Sequence, residues 1–265
     1  MSAPDAVVEA WLTALIERHT SGLSRAEFLK AVRALSVRYV QRRAELTDRT
    51  PTDSRGKRSA FAGFFAPLHF ITVRAVVAAV GAATTPLDRL VDLGCGTGVA
   101  GAAWALACRH PPPLLGVDRQ RWAVQEAEWN WRTLGLTGRT RVADLVATAE
   151  TLADDHRARR RTGVVLGWSV NELDAGRRQR LFAAVRTLAS RQQALLVIEP
   201  IARAAAPWWA EWARAVTAAG GRAAEWRFDV ALPGSLAALD EAAGFRRDGL
   251  AVRTLWVPGE PSLNG

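Results

Sequence analysis

The sequence predicts an α/β fold whose core is a mostly parallel β-sheet. The first observation is that short β-rich runs alternate with helical stretches after Thr84: Arg89 to Leu93, Leu114 to Val117, Arg139 to Val142, Val164 to Trp168 and Ala194 to Glu199. This alternation is typical of parallel strands joined by crossover helices. The second observation is a glycine-rich turn directly after the first run. The third is the length of 265 residues, which fits one α/β domain, alone or with a small appendage.

The composition is that of a soluble globular protein, with 49% hydrophobic and 23% charged residues. At this length folding buries roughly three quarters of the extended chain's surface, so the fold needs no disulfide or metal to hold it together. The two cysteines, Cys95 and Cys108, are too few for a disulfide framework or a zinc cluster. We therefore expect no metal site and a reducing, cytoplasmic compartment.

The chain is predicted to divide into a helical N-terminal region or lid, residues 1–82, and a core, residues 83–265. Residues 3–19 carry apolar side chains on one helical stripe, and the box from Ser24 to Glu27 predicts the start of a second helix. The apolar segment from Phe61 to Ala82 predicts another helix, bent or restarted at its proline.

Two further segments complete the outline. The polar segment from Thr47 to Arg58 contains proline and glycine and is predicted to be an exposed loop. The C-terminal part predicts a closing pair of strands, Ala223 to Val230 and Leu250 to Val257, with a helix between them from Leu236 to Ala243.

The charge of the chain bears on its partners. A formal net charge of +9 favours an anionic partner such as RNA. Nearly all of this charge is arginine, since only Lys30 and Lys57 are lysines, and such a bias also arises from the coding composition of a genome. A nucleic-acid face and a merely arginine-rich surface therefore both stay open. The most apolar window, Phe64 to Ala83, is interrupted by a proline, a histidine and an arginine, so we expect neither a membrane span nor a signal peptide.

The glycine-rich turn identifies the ligand class. Gly96, Gly98 and Gly101 satisfy the G-x-G-x-x-G spacing of dinucleotide sites, with Asp118 at the end of the next strand, so spacing alone does not exclude NAD. Asp92, however, ends the strand before the turn, where its charge would repel a pyrophosphate and attract a cation. S-adenosylmethionine carries both an ammonium and a sulfonium, so this acid favours it over NAD.

Residues 92–98, Asp-Leu-Gly-Cys-Gly-Thr-Gly, closely resemble the first motif of class I S-adenosylmethionine-dependent methyltransferases. Residues 114–118, Leu-Leu-Gly-Val-Asp, look like the second motif, whose acid holds the ribose hydroxyls, and residues 243–245 resemble the turn before the last strand. The resemblance implies a Rossmann-like core of seven strands, the last one antiparallel, and S-adenosylhomocysteine as product. The cofactor-binding residues that we predict are Asp92, Gly94, Cys95, Gly96, Gly98, Asp118, Arg119, Asp144 and Ser169.

Within this set the roles differ. The resemblance implies that the glycine turn surrounds the methionine end and that Asp144 holds the adenine amino group. Asp144 is also well placed to cap the helix that follows it. Cys95 is small enough for the turn, and we assign it no nucleophilic role.

A narrower resemblance comes from residues 164–173, which end in Asn-Glu-Leu, and 196–200, which end in Glu-Pro. These strings, with residues 35–39, are similar to the methyltransferase-like family of small ribosomal subunits and mitochondrial ribosome assembly. The four C-terminal cysteines that hold an iron–sulfur cluster in many of its members are absent from this sequence. The resemblance and the net charge imply RNA or a ribosomal subunit as the acceptor. The absent cysteines count against the ribosomal role and make a small molecule or peptide the alternative acceptor. A non-catalytic, cofactor-binding assembly factor is the alternative of another class.

Five residues are candidates for the reaction itself. Asn171 and Glu172 follow the strand whose end faces the transferred methyl in this class, where an amide or carboxylate can orient or deprotonate an acceptor. Capping of the helix entered near residue 174 is the alternative for both. Glu199, Trp208 and His69 are the predicted substrate-binding residues; an ion pair with an arginine and packing in the core are their structural alternatives.

Overall fold

The computed structural model describes residues 3–41, 52, 54–155, 160–201, 207–245, 247 and 249–259. Its seven strands form one sheet in the order β3-β2-β1-β4-β5-β7-β6. The strands are β1 (Arg89–Leu93), β2 (Leu114–Asp118), β3 (Gly138–Val142), β4 (Thr162–Gly167), β5 (Ala194–Glu199), β6 (Arg222–Phe228) and β7 (Leu250–Val257). β7 is antiparallel to both of its neighbours, and the pairings among β1 to β5 are parallel. The predicted fold class is confirmed.

The helices surround this sheet. They are α1 (Ala3–Thr20), α2 (Arg25–Gln41), α3 (Arg55–Ala60), α4 (Ala66–Val80), α5 (Val99–Ala107), α6 (Arg121–Thr133), α7 (Leu145–Asp154), α8 (Ala175–Ser190), α9 (Trp209–Ala218) and α10 (Gly234–Ala243). A π-helical turn, Phe61–Phe65, joins α3 to α4, and short 3-10 turns cover Ala82–Thr84 and Val170–Glu172.

The central strands are buried on both faces. In β5, Leu196 and Ile198 belong to one hydrophobic cluster, whereas Leu195 and Val197 belong to another on the opposite face. Successive side chains of a strand point to opposite faces, so a strand covered on both sides is predominantly apolar. This explains the continuous apolar runs of the sequence.

The helices of the N-terminal region pack into the same cores as the sheet. Trp11 of α1 and Phe70 of α4 are buried in one cluster with Trp104 of α5 and Trp256 of β7. Burial of each such side chain contributes about 1.5–3 kcal/mol. The predicted N-terminal region, residues 1–82, and the predicted core, residues 83–265, thus share one hydrophobic interior.

Two local predictions for this region have different outcomes. The box before α2 is confirmed, since Ser24 Oγ accepts from the Glu27 amide at 3.2 Å and Glu27 Oε2 accepts from the Ser24 amide at 2.8 Å. The loop predicted from Thr47 to Arg58 is wrong at its C-terminal end: α3 begins at Arg55, because the Ser54 side chain caps it by accepting from the Lys57 amide. Residues 47–51 and 53 of that prediction lie outside the described residues.

The helical segment from Arg55 to Val80 is long and apolar enough to cross a membrane by length and composition alone. However, 67% of its most apolar window is buried inside the protein. Its apolar residues therefore face the protein core, as in the central helix of a globular fold.

Candidate functional site

The glycine turn lies between β1 and α5 and adopts a backbone that only glycine takes without strain. Gly94, Gly96 and Gly98 have φ of 72°, 51° and 75°. A Cβ on Gly98 would lie 2.7 Å from both Ala127 Cβ and Trp131 Nε1, so helix α6 packs directly against the turn. A Cβ on Gly96 would meet only Phe61, at 3.8 Å. Gly96 therefore borders open space, which leaves room for a ligand.

Asp92 is buried beneath this turn. Its Oδ2 accepts from the Gly101 amide at 2.8 Å, whereas its Oδ1 is buried without a hydrogen-bond partner within the described part of the chain. The pKa of Asp92 is raised to about 7, mainly by burial and also by the charge of Asp118, whereas the hydrogen bond from Gly101 opposes the shift. An unpartnered buried carboxylate oxygen favours a cationic ligand, because a positive charge nearby stabilises the ionised form. The site thus fits the ammonium and sulfonium of S-adenosylmethionine.

Asp118 ends β2, and its carboxylate accepts hydrogen bonds from the glycine turn and from the segment before α6. Its Oδ2 accepts from the Gly96 amide at 3.0 Å, and its Oδ1 accepts from the Gln120 amide at 2.8 Å. The side chain is half-buried, and each carboxylate oxygen can accept a further hydrogen bond. This position fits the predicted role at the ribose, and the same carboxylate also fixes the conformation of the glycine turn.

Helix α6 holds the turn from below through residues that sequence reasoning missed. Asn130 Nδ2 donates to the Thr97 carbonyl at 2.9 Å, and Trp131 Nε1 donates to the Gly98 carbonyl at 2.8 Å. Asn130 Oδ1 in turn accepts from Trp11 Nε1 of α1 at 2.7 Å. All three side chains are buried. A hydrogen-bonded chain therefore runs from the N-terminal helix to the cofactor turn.

The other predicted cofactor residues lie around the same sheet edge. Ser169 is buried and donates from Oγ to the Leu93 carbonyl at 3.1 Å, and burial raises the pKa of the Cys95 thiol. Arg119 is exposed beside Asp118. Asp144 caps α7 by accepting from the Val146 and Ala147 amides, and its other oxygen pairs with Arg177. Its role at the adenine stays a prediction.

Asn171, Glu199 and Trp208 come together as one network. Glu199 is fully buried; its Oε1 accepts from the Val170 amide at 3.0 Å and the Asn171 amide at 3.2 Å. Its Oε2 accepts from Asn171 Nδ2 at 2.7 Å, and Trp208 Nε1 donates to Asn171 Oδ1 at 2.9 Å. These bonds favour a positioning role, in which Glu199 fixes the turn that carries Glu172. Direct contact of Asn171, Glu199 and Trp208 with a substrate stays a prediction.

Glu172 differs from its neighbours because its side chain is accessible to solvent. The protein nevertheless surrounds it closely, and the pKa of Glu172 is raised to about 7. Loss of water is the main cause, the negative charge of Asp118 contributes, and the charge of Arg119 opposes the shift. Glu172 is thus an accessible carboxylate within electrostatic reach of the predicted ribose-binding acid.

A row of aromatic side chains, defined by Trp122, Phe61, His69 and Trp168, crosses the same edge. The His69 and Trp168 rings stack at 3.8 Å with planes 10° apart. Phe61 meets His69 and Trp122 edge to face, at 6.1 and 6.2 Å. Trp168 directly follows β4 and has φ of 57°, a strained conformation for a non-glycine residue, and Phe61 begins the π-helical turn. Both features concentrate at functional sites.

The Glu199 network leads to a stability prediction. Glu199→Gln replaces one acceptor oxygen with an NH2 group that faces hydrogen-bond donors, so it leaves buried donors unsatisfied. We expect the free energy of unfolding in urea to fall by about 1–3 kcal/mol. Glu225→Gln, at an exposed residue of β6, is the matched control and should change it by less than about 0.5 kcal/mol. Equal stability of the two variants would contradict the positioning role.

Comparison with known proteins adds three findings. Residues 77–155, which include β1, the glycine turn and Asp118, match the family model of the methyltransferase small domain. No curated protein matches the chain. An O-methyltransferase family protein from Burkholderia thailandensis has a TM-score of 0.51 at 14% identity, over 84% of this chain and 64% of that one.

Two further solved structures are more distant. The plantazolicin methyltransferase BpumL in complex with SAH has a TM-score of 0.49 at 10% identity, over 88% of this chain and 96% of that one. Precorrin-6y C5,15-methyltransferase from Geobacter metallireducens has a TM-score of 0.46 at 13% identity, over 70% and 87%. The likeness to the Burkholderia protein shows the fold. The family match covers the glycine turn and Asp118, and it supports the prediction of a methyltransferase core with S-adenosylmethionine as cofactor.

Proposed function

We propose that this protein transfers a methyl group from S-adenosylmethionine to RNA, with Glu172 as the general base. The observation that carries the proposal is the Glu172 carboxylate, which is accessible at the carboxyl edge of β4 and has a pKa raised to about 7. A base whose pKa lies near the working pH combines a large ionised fraction with useful basicity. RNA as the acceptor is supported by the net charge of +9 and by the resemblance of the β4 and β5 strings.

In this proposal the chain has two tasks. Asp92 and the glycine turn hold the methionine end of the cofactor, Asp118 its ribose and Asp144 its adenine. Bound S-adenosylmethionine supplies an electrophilic methyl group on a positively charged sulfur. Glu172 takes the proton from an O–H or N–H nucleophile of the acceptor, and alignment of the acceptor supplies much of the remaining acceleration.

The aromatic row favours a second candidate acceptor. Planar, apolar walls at Phe61, His69 and Trp168 suit a small aromatic molecule or a single inserted peptide side chain. A nucleobase extruded from RNA would use the same walls by stacking.

Incubation of the full chain with methyl-labelled S-adenosylmethionine decides between these functions. Purified small ribosomal subunits, ribosomal RNA, and pools of small molecules and peptides are offered as acceptors, and S-adenosylhomocysteine and labelled products are measured. We expect label in RNA. Label only in a small molecule or peptide would replace RNA as the acceptor. Cofactor binding without S-adenosylhomocysteine from any acceptor would support the non-catalytic assembly factor.

A further inference from the structure

A groove with a volume of about 490 Å³ lies on the sheet face covered by α7, and its lining residues are different from those of the aromatic row. Three arginines from two strands line it, Arg89 of β1 with Arg139 and Arg141 of β3. The strand register explains this grouping: Leu115 pairs with Val91 and Arg139, and Val117 pairs with Arg141. Alternate residues share a face of the sheet, so the three guanidinium groups lie on the same side.

These arginines are not neutralised as other surface arginines are. Arg74, Arg161 and Arg180 each form an ion pair with a carboxylate. Within the ranges that the structure describes, neither Arg139 nor Arg141 forms an ion pair. The groove therefore concentrates positive charge that nearby acids do not fully balance.

Arg89 lies within the electrostatic influence of neighbouring arginines. Burial lowers the pKa of Arg89, and the positive charges of Arg160 and Arg139 lower it further, while the charge of Asp155 raises it. Its Nε donates to the Thr162 hydroxyl at 2.9 Å. Asp154 and Asp155 line one end of the groove. A bound anion would relieve the mutual repulsion of the arginines.

Protection of a sheet edge explains only part of this cluster. β3 is an edge strand, and exposed charges on edge strands prevent pairing with other chains. β1, however, lies between β2 and β4, so Arg89 is not needed to protect an edge of the sheet. A half-buried arginine on a central strand, aligned with two exposed ones, indicates a surface built to bind anions.

We propose that this groove binds the phosphodiester backbone of a nucleic acid. Guanidinium groups bind phosphate oxygens in a bidentate manner, and a row of them suits a chain of phosphates better than a single anion. The site extends the proposed function, because it would anchor an RNA acceptor outside the methyl-transfer site. Binding is nevertheless measured without methyl transfer, so the two proposals fail separately.

The test compares two double variants of the full chain that remove the same charge. Arg139→Gln with Arg141→Gln empties the groove of two cations, and Arg74→Gln with Arg180→Gln removes two exposed, ion-paired arginines elsewhere. Binding of a labelled single-stranded RNA of mixed sequence is measured by fluorescence anisotropy between about 50 and 200 mM salt. Thermal unfolding verifies that both variants fold, and calorimetry with S-adenosylmethionine gives an independent measure of the cofactor site.

The binding constant K for RNA falls as the salt concentration rises. We expect the groove variant to make the slope of log K against log salt less steep by about 1.4, since each single-strand phosphate contact contributes about 0.7. This corresponds to roughly 25-fold weaker binding at about 0.1 M salt. The control variant should retain the slope.

Three outcomes would each overturn the proposal. They are equal weakening of RNA binding by both variants, no RNA binding by the unmodified chain at low salt, and binding of polyglutamate as strong as that of RNA. Single-stranded DNA of the same sequence tells whether the ribose hydroxyl contributes, and inorganic phosphate should compete only weakly with RNA. If the unmodified chain binds RNA but does not bind S-adenosylmethionine, the proposed function is refuted and the proposal for the groove is retained.

Discussion

Replacement of Glu172 by Gln is expected to lower the turnover number about 100-fold or more, because an amide cannot accept the acceptor's proton. The substitution preserves the shape of the side chain and removes only its basicity. The measurement is S-adenosylhomocysteine formation with the acceptor identified above. In the unmodified protein turnover should rise with pH through about 7, since the raised pKa keeps Glu172 protonated and inactive at lower pH. The variant should lose this dependence.

The control for this experiment is Glu225→Gln, at an exposed glutamate of β6. It should leave both turnover and the pH profile unchanged. If Glu172→Gln retains turnover and the same pH profile, Glu172 is not the base, and alignment of acceptor and cofactor must supply the rate. Asn171→Ala, by contrast, disrupts the hydrogen bonds with Glu199 and Trp208, so its effect on turnover would include displacement of the turn.

Asp118→Ala is expected to weaken S-adenosylmethionine binding about 10- to 150-fold, since a hydrogen bond to a charged group contributes about 1.5–3 kcal/mol. The substitution removes the predicted ribose contact and also releases the Gly96 and Gln120 amides. Isothermal calorimetry measures the dissociation constant, with Asp229→Ala, at an exposed aspartate, as the matched control. An unchanged dissociation constant would remove Asp118 from the site, and tight binding of NAD to the unmodified chain would contradict the cofactor assignment.

The fold could be predicted from the sequence because its signals are local. β1, β5 and β7 begin and end at the residues predicted from the sequence, because strands covered on both faces are predominantly apolar and stand out in the sequence. The glycine turn was equally clear, because the positive φ of Gly94, Gly96 and Gly98 restricts those positions to glycine.

The rest of the site depends on contacts between distant segments, which no local pattern reveals. Asn130 looks like an ordinary polar residue of α6, yet it is buried between Trp11 and the Thr97 carbonyl. Glu199 and Asn171 were assigned to substrate and catalysis because they follow adjacent strands, and only the three-dimensional arrangement shows that they bind each other. The aromatic row likewise joins three segments whose residues are far apart in sequence.

The hydrogen bond between Trp11 and Asn130 spans 119 residues of sequence and has a consequence for synthesis of the chain. A growing polypeptide that has just released its glycine turn from the ribosome still lacks Asn130 and Trp131, the side chains that fix the Thr97 and Gly98 carbonyls. The first helix likewise has no partner for its indole until that point. Closing so long a loop costs conformational entropy, which only the packed interior repays. Newly made chains should therefore acquire affinity for the cofactor only after α6 and α1 have docked, and a fragment without α1 would keep the glycine turn but lose one of its supports.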